Sequence, residues 1–256
     1  MGLILKLTFK NIKMKKIIYL IIVVFSLGGC TDDFQETNSN PYNITDESLL
    51  QDFNHVGSFY SGMLSQIFGN QVNHNLSNVS WVRHLGTPTP FVGGVNNTTY
   101  YMRWNGYWGR EYGSVIAPAN QVIDIATEGG FTVFVEWANL IKIMSMSRLT
   151  AYHGPILYST LGTDNVSYDS EPVLYNAFFA DLDRIIAEFN ANTDYTGLSK
   201  FDASYDGDVS KWAKFANSLR LRLAMRISKV DPVLAKAQGE KALADAAGLI
   251  ETNADN

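Results

Sequence analysis

Cysteine is almost missing from this 256-residue chain: Cys30 is the only one, so no intrachain disulfide can brace the fold. No run of about 20 apolar residues occurs, which excludes a membrane-spanning helix. Positive charge is also scarce, with 20 Lys and Arg against 25 Asp and Glu and a net charge of −5. Nucleic-acid binding needs a cationic face to displace counterions, and this balance argues against it. Gly-x-Ser-x-Gly, a phosphate-cradling glycine loop and His-Glu-x-x-His are all missing. His55, His74, His84 and His153 include no pair four residues apart, so no metal, cofactor or catalytic residue is assigned. Period-two alternation is rare, so no sizeable sheet is expected, with room only for short strands within 78–104.

What is present begins with a leader. Lys15 and Lys16 precede thirteen apolar or small residues, Ile17 to Gly29, which run through Leu27-Gly28-Gly29 into Cys30. A basic start, an apolar stretch of about 7–15 residues and small residues at the cut make a secretory signal. A lone thiol at the cut offers the nucleophile for lipid attachment. Residues 1–29 therefore read as a lipoprotein-type signal peptide, and Cys30 as the lipidated residue. The polar stretch that follows, Thr31 to Asn40, opens a tether expected over 30–45. Five lysines, Lys6, Lys10, Lys13, Lys15 and Lys16, lie ahead of Cys30, so what remains carries 15 basic against 25 acidic residues. No basic patch is left to add a second membrane signal to the lipid. A chain of this size buries roughly 70–75% of its unfolded surface and needs neither disulfide nor metal to fold.

From Thr45 onward the spacing of apolar residues is helical. Leu49, Leu50, Phe53, Val56, Tyr60, Leu64 and Ile67 predict a helix over 46–68, with Thr45 or Asp46 as N-cap and Gly69 at its end. A second helix runs from about Tyr112 to Gly129-Gly130, and a third carries Phe134, Trp137, Leu140, Ile141, Met144 and Leu149 inward before His153-Gly154-Pro155. Ser170-Glu171-Pro172 opens a fourth, residues 209–229 form a fifth, and Asp231-Pro232 starts a last one through Ala247. The expected fold is mainly α, built of antiparallel helix pairs that resemble degenerate tetratricopeptide repeats; linkers 155–170 and 191–208 break a regular 34-residue period. Such stacking leaves a concave or ridge-like interaction face.

Between the first two helices, residues 70–112 show no helical period and are rich in Asn, Gly, Thr and Pro. A loop of that length inside a domain is usually functional. Trp81, Tyr100, Tyr101, Trp104, Tyr107 and Trp108 are interleaved there with Asn75, Asn78, Asn96, Asn97, Arg83 and Arg103. Flat aromatic rings suit the C–H face of a sugar, and amide or guanidinium groups suit its hydroxyl rim. The same composition would also serve as a small core for the loop itself. The residues singled out as ligand contacts are Trp81, Arg83, Asn97, Tyr100, Tyr101 and Trp104.

Other polar groups read more plainly. Asp181, Asp183 and Glu188 fall off the apolar stripe of their helix and are expected to form a solvated face rather than a glycosidase pair. Glu111 sits among the aromatics without an evident partner. Asp202 to Gly207 imitates the front of a calcium loop, but Ala213 stands where the bidentate Glu belongs. Lys211, Lys214, Arg220, Arg222 and Arg226 form a basic stripe, read either as a solvated face paired with nearby acids or as a docking surface for an acidic loop.

Three motifs carry a family resemblance: Ile116-Ala117-Pro118-Ala119-Asn120, Tyr152-His153-Gly154-Pro155-Ile156 and, most specific, Gly207-Asp208-Val209-Ser210-Lys211-Trp212-Ala213-Lys214-Phe215-Ala216-Asn217-Ser218-Leu219-Arg220-Leu221-Arg222. With Cys30 they make the chain resemble the SusD/RagB family of outer-membrane nutrient-binding lipoproteins over about 30–250. The resemblance implies a helical fold with tetratricopeptide-like pairs over 46–256 and no catalysis. It also implies binding of glycan or peptide and delivery to a TonB-dependent SusC/RagA-like transporter. An early aromatic loop helps form the ligand platform in that family, which supports Trp81 and Trp104. Members run about twice this length, so the chain reads as an amino-terminal half, truncated at Glu251 to Asn256. Two alternatives stand beside it: a helical-repeat adaptor that docks on an outer-membrane complex without ligand, and a glycan hydrolase.

Overall fold

The computed structural model describes Asn38, Asn40, residues 50–67, Val82, His84 and residues 108–255. The chain divides into units Met1–Leu49 and Leu50–Asn256, and the elements below belong to the second. They are α1 (Asn54–Ile67), α2 (Trp108–Glu111), a π-helical turn (Tyr112–Ile116), α3 (Ala117–Glu128), α4 (Thr132–His153), α5 (Glu171–Ala191), α6 (Val209–Ile227) and α7 (Pro232–Ala244). Short 3-10 turns stand at Gln51–Phe53 and Asn253–Asp255. No strand occurs among the described residues; the one β contact there is an isolated bridge between Ile156 and Asp169. None of the described helices is long and apolar enough to cross a membrane.

Successive helices pack on one another in chain order from α3 to α7. Gly129-Gly130 produces the tightest reversal. Phe131 N–H bonds the Ala126 carbonyl at 2.8 Å and Gly130 N–H that of Thr127 at 3.2 Å, with Gly130 at φ +71°. This is a Schellman ending, and α4 starts one residue after it. Thr132 at the start of α4 donates to Glu188 near the end of α5, so these two helices also run antiparallel. The expected helix pairs of a degenerate tetratricopeptide-like stack are therefore present.

α4 is the centre. Val133, Phe134, Trp137, Ala138, Leu140, Ile141, Ile143, Met146 and Leu149 are all buried, a wider face than the single stripe expected from spacing. Apolar residues all round a helix mean neighbours all round it, and α1, α3, α5 and α6 supply them. Met144, expected inward, is only partly buried. Through this centre runs a file of rings: Tyr60 stacks on Trp137 at 3.8 Å and 10°, and Trp137 meets Trp212 edge-on at 5.5 Å. The Tyr60 hydroxyl donates to the Phe134 carbonyl, and complete burial raises its pKa well above the ordinary phenol value.

Helix ends depart from the sequence reading where side chains intervene. The first helix is interrupted by left-handed backbone at Asp52 (φ 51°) and Phe53 (φ 60°), and its α-helical part begins at Asn54; the cap candidates Thr45 and Asp46 lie outside the described residues. Ser170 occupies the N-cap position of α5 but its side chain makes no capping bond. Asp208 and Asp231 do cap, accepting from Lys211 N–H at 3.2 Å and Leu234 N–H at 3.0 Å. α7 stops at Ala244, three residues early, because Asp245 turns to extended backbone and takes Ala247 N–H at 3.0 Å.

One close approach has a measurable consequence. Gly57 is buried on α1 with the Phe201 ring lying against it, so that a methyl group there would overlap the ring. Gly57→Ala should gain about 1 kcal/mol in helix propensity and lose about 1–3 kcal/mol to overpacking. A net loss of stability is expected in urea denaturation, and an unchanged or raised midpoint would show that Phe201 yields freely.

Candidate functional site

All six candidate ligand residues selected from the sequence, Trp81, Arg83, Asn97, Tyr100, Tyr101 and Trp104, lie outside the described residues, as do Cys30, Tyr107, Arg103, Asn75, Asn78 and Asn96. The structure describes the place where their segment leaves and rejoins the helices. It leaves after Ile67 at the end of α1 and rejoins at Trp108.

One side chain of α4 holds both points. Arg148 donates through Nη1 to the Ile67 carbonyl at 2.5 Å and through Nη2 to Glu111 Oε1 at 3.1 Å. One turn earlier on α4, Ser145 donates to the other Glu111 oxygen. Glu111 is 1% exposed, and a buried carboxylate is tolerable only when paired and hydrogen-bonded. The partner not evident from sequence is thus Arg148, 37 residues away. A second tie joins the neighbouring residues, Arg110 Nε donating to Gln66 Oε1 at 2.6 Å.

Trp108, the one ring of the aromatic set that is described, packs as part of the core margin. Its ring lies 5.3 Å from both Tyr112 and His153 and 5.8 Å from Tyr168. The Tyr112 hydroxyl both donates to the Leu157 carbonyl and accepts from its N–H, each at 2.9 Å. Burial is the main cause that pushes its phenol up to about 12. His153 serves as a packing surface for Trp108 at the end of α4.

Two adjoining cavities follow the face shared by α4 and α6. One of about 580 Å³ is bordered by Ile67, Val82, Arg148, Tyr152, Arg222 and Arg226. The other, about 480 Å³, is bordered by Leu64, Ser65, Tyr205 and Trp212, and Met144 and Phe215 line both. Cavities of this size accommodate small ligands, and the first is lined by three arginines, of which Arg148 is bonded to Ile67 and Glu111.

The remaining polar candidates change character. Asp181, Asp183 and Glu188 are partly exposed, as expected, but each is also paired: Asp181 accepts from the Tyr158 hydroxyl at 2.7 Å, Asp183 from Arg220 and Lys241, and Glu188 from Thr132. Each ties α5 to another part of the chain. Two members of the basic stripe, Lys214 and Arg220, pair with acids, and the stripe is not uniformly solvated. Arg220 is 1% exposed, bonded to Asp183 at 2.5 Å and 3.6 Å from Asp245, and Lys214 bonds Asp255 at 2.6 Å. Spacing placed Arg220 on the polar side because it shows the face of a helix and not what covers it. Asp202 is filled by donors rather than open to a cation, as described below, and among the described residues no three metal-binding side chains converge.

Comparison with known proteins agrees with this architecture. The family model for SusD-like proteins, described as SusD and RagB outer membrane lipoprotein, matches residues 36–256. A chitin-binding SusD homologue from Flavobacterium johnsoniae is 36% identical with a TM-score of 0.71, over 79% of this chain and 45% of that one. A SusD homologue from Bacteroides vulgatus is 27% identical with a TM-score of 0.71, over 80% and 45%. One from Bacteroides uniformis is 33% identical with a TM-score of 0.63, over 78% and 44%. This chain therefore spans less than half the length of the solved relatives it matches. Comparison with curated protein sequences gives no match. A match that runs from residue 36 to the last residue, on a helical stack superposable with solved members, makes this chain a member of the SusD/RagB family.

Proposed function

We propose that the chain is the amino-terminal, transporter-docking part of an outer-membrane nutrient-binding lipoprotein, anchored through lipid on Cys30 and specific for glycan. It holds the ligand without chemical change and passes it to a TonB-dependent SusC/RagA-like barrel. The observation that carries this reading is the 36% identity over 79% of the chain to a chitin-binding relative. Chitin offers N-acetylglucosamine rings, each with an apolar face for an aromatic platform and an acetamide for a hydrogen bond to a side-chain amide such as Asn97. Trp81 and Trp104 are the rings assigned to the platform, with Tyr100 and Tyr101 beside them and Arg83 at the hydroxyl rim.

The test is titration of the full chain with chito-oligosaccharides and with a panel of other glycans and peptides. Trp81→Ala with Trp104→Ala should weaken the best ligand at least 100-fold, since each large ring contributes about 1.5–3 kcal/mol and 1.4 kcal/mol is about tenfold. The same protein, tagged at its carboxy terminus, should co-purify a TonB-dependent barrel from solubilised outer membranes. Unchanged affinity in the double variant removes the platform, and a preparation that captures neither glycan nor barrel removes the uptake role.

A further inference from the structure

We infer that the groove between the carboxy-terminal halves of α4 and α6 is a second binding site, which takes an acidic saccharide by its carboxylate or sulfate group. The site goes beyond the chitin platform and rests on the nutrient-binding reading only for the class of ligand. Once its partners are known, the basic stripe of α6 divides in two. The ion pairs of α6 are those of Lys214 and Arg220, and Lys211 lies over the Tyr205 ring at 5.7 Å. Arg222 and Arg226 are exposed, and neither forms an ion pair among the described residues. Four residues apart, they share one face of the helix and repel each other. The dipole at the last turn of α6 accounts for Arg226 but not for Arg222, which lies more than a turn before Ile227. On a chain with 25 acids for 20 bases, two neighbouring arginines without an acid are placed for an anion from outside.

Both arginines border the cavity of about 580 Å³. Arg148 borders it from α4, but its charge is engaged by Glu111, so Arg222 and Arg226 supply the unbalanced charge. Phe215, Leu219 and Leu223 of α6 and Met144 of α4 give the cavity an apolar lining, to which Ser147 and Tyr152 add hydroxyls. This combination suits a sugar acid. The planar fork of a guanidinium meets two oxygens of a carboxylate or sulfate at once. A ring and aliphatic groups meet the C–H face of the sugar, and hydroxyls meet its rim. The residues of α4 and α6 at the groove lie far from the amino-terminal ends of both helices, so side chains and not helix-terminal N–H groups would hold the anion, unlike a phosphate cradle. Glu171 and Asp231 border the next cavity together with Arg226, and Asp231 caps α7. These acids near Arg226 make Arg222 the primary contact and Arg226 the second.

Calorimetric titration of the full chain tests the site, with tetragalacturonate, a sulfated tetrasaccharide, a neutral galactose tetramer and hexaglutamate as probes. At least one acidic saccharide should bind about tenfold or more tighter than the neutral one, and the better of the two identifies the anion. Raising salt from about 50 to about 500 mM should weaken that binding, because exposed charges are screened. Arg222→Met with Arg226→Met should lower the affinity by about tenfold or more, with an unchanged urea midpoint because both side chains are exposed. Arg222→Lys keeps the charge without the fork and should lose about threefold. Lys200→Met with Lys236→Met removes two exposed charges elsewhere and should leave the affinity as it was. Equal binding of acidic and neutral sugars, or an equal loss in the lysine variant, overturns the site. Hexaglutamate bound as tightly as the acidic sugar overturns the saccharide assignment and makes the groove a peptide-docking surface. Chito-oligosaccharides titrated into the same samples separate the two readings. A chain that binds acidic sugars and no chito-oligosaccharide loses the chitin platform alone, and one that binds chito-oligosaccharides and no acidic sugar loses this site alone.

Discussion

Asp202→Ala is expected to lower stability by about 3–5 kcal/mol, the range for stripping a buried charge-assisted network of one partner, read as a shifted midpoint in urea. The Asp202 side chain is 3% exposed and organises the loop between α5 and α6. Its Oδ1 accepts from Ser204 N–H at 2.9 Å and Tyr205 N–H at 3.2 Å. Its Oδ2 accepts from Gly207 N–H at 3.0 Å and Trp212 Nε1 at 2.7 Å. Four donors thus share one carboxylate, and hydrogen bonds to an ionised acceptor are the stronger kind. Alanine leaves the Gly207 and Trp212 donors without an acceptor in a buried site, whereas Ser204 is exposed and can turn to water.

The effect should reach beyond the loop. Gly207 adopts φ +85°, and a Cβ there would come within 2.5 Å of the Ser199 backbone, so the carboxylate holds a turn that no other residue can make at that point. Trp212 is the ring on which Trp137, Tyr205 and Phe215 all pack, so freeing its indole N–H disturbs the aromatic file at the centre of the fold. Asp202→Asn retains one acceptor oxygen and should cost about half as much. A loss below about 1 kcal/mol for Asp202→Ala would mean that water replaces the carboxylate and that the loop is held by its rings alone.

The helices were legible in the sequence because their signals are local. Gly129-Gly130 ends a helix by the left-handed conformation glycine permits, and Asp231-Pro232 starts one with an acceptor and a preset φ; both act within a few residues. What could not be read is what reaches across the stack. Spacing places Glu111 and Arg148 on helices but gives no sign that they face each other, and a buried acid in search of a cation was the single signal available. The early end of α7 has the same origin: Asp245 leaves the helix to take Ala247 N–H, a choice set by Arg220 and Asn190 on neighbouring helices. As for the candidate ligand residues, composition and the family resemblance marked Trp81, Trp104 and their neighbours, and the structure describes only where that segment leaves and rejoins the helices. Trp108 shows how composition misleads at a segment's edge, since its ring belongs to the packed margin.

The second large effect concerns the other buried charge, and its sign depends on which partner is removed. Arg220 is 1% exposed, while its partners Asp183 and Asp245 are 39% and 18% exposed. Removing the arginine leaves two acids that still have other partners: Asp183 keeps Lys241 at 2.6 Å, and Asp245 keeps Asn190 at 3.2 Å and Ala247 N–H. Both also reach solvent. Removing the acids strands a guanidinium in the contact between α5, α6 and α7, where its desolvation has no compensation. Asp183→Ala with Asp245→Ala should therefore cost about 3–5 kcal/mol and Arg220→Met about 1–2 kcal/mol, although the arginine is the residue with the larger side chain and the deeper burial. Lys241, 49% exposed, adds little when it loses Asp183, since exposed pairs contribute about 0–1 kcal/mol. Urea denaturation of the wild type and the two variants decides the matter. If Arg220→Met proves as costly as the double acid replacement, the arginine stem, by packing, holds these three helices together and the charges are incidental to it.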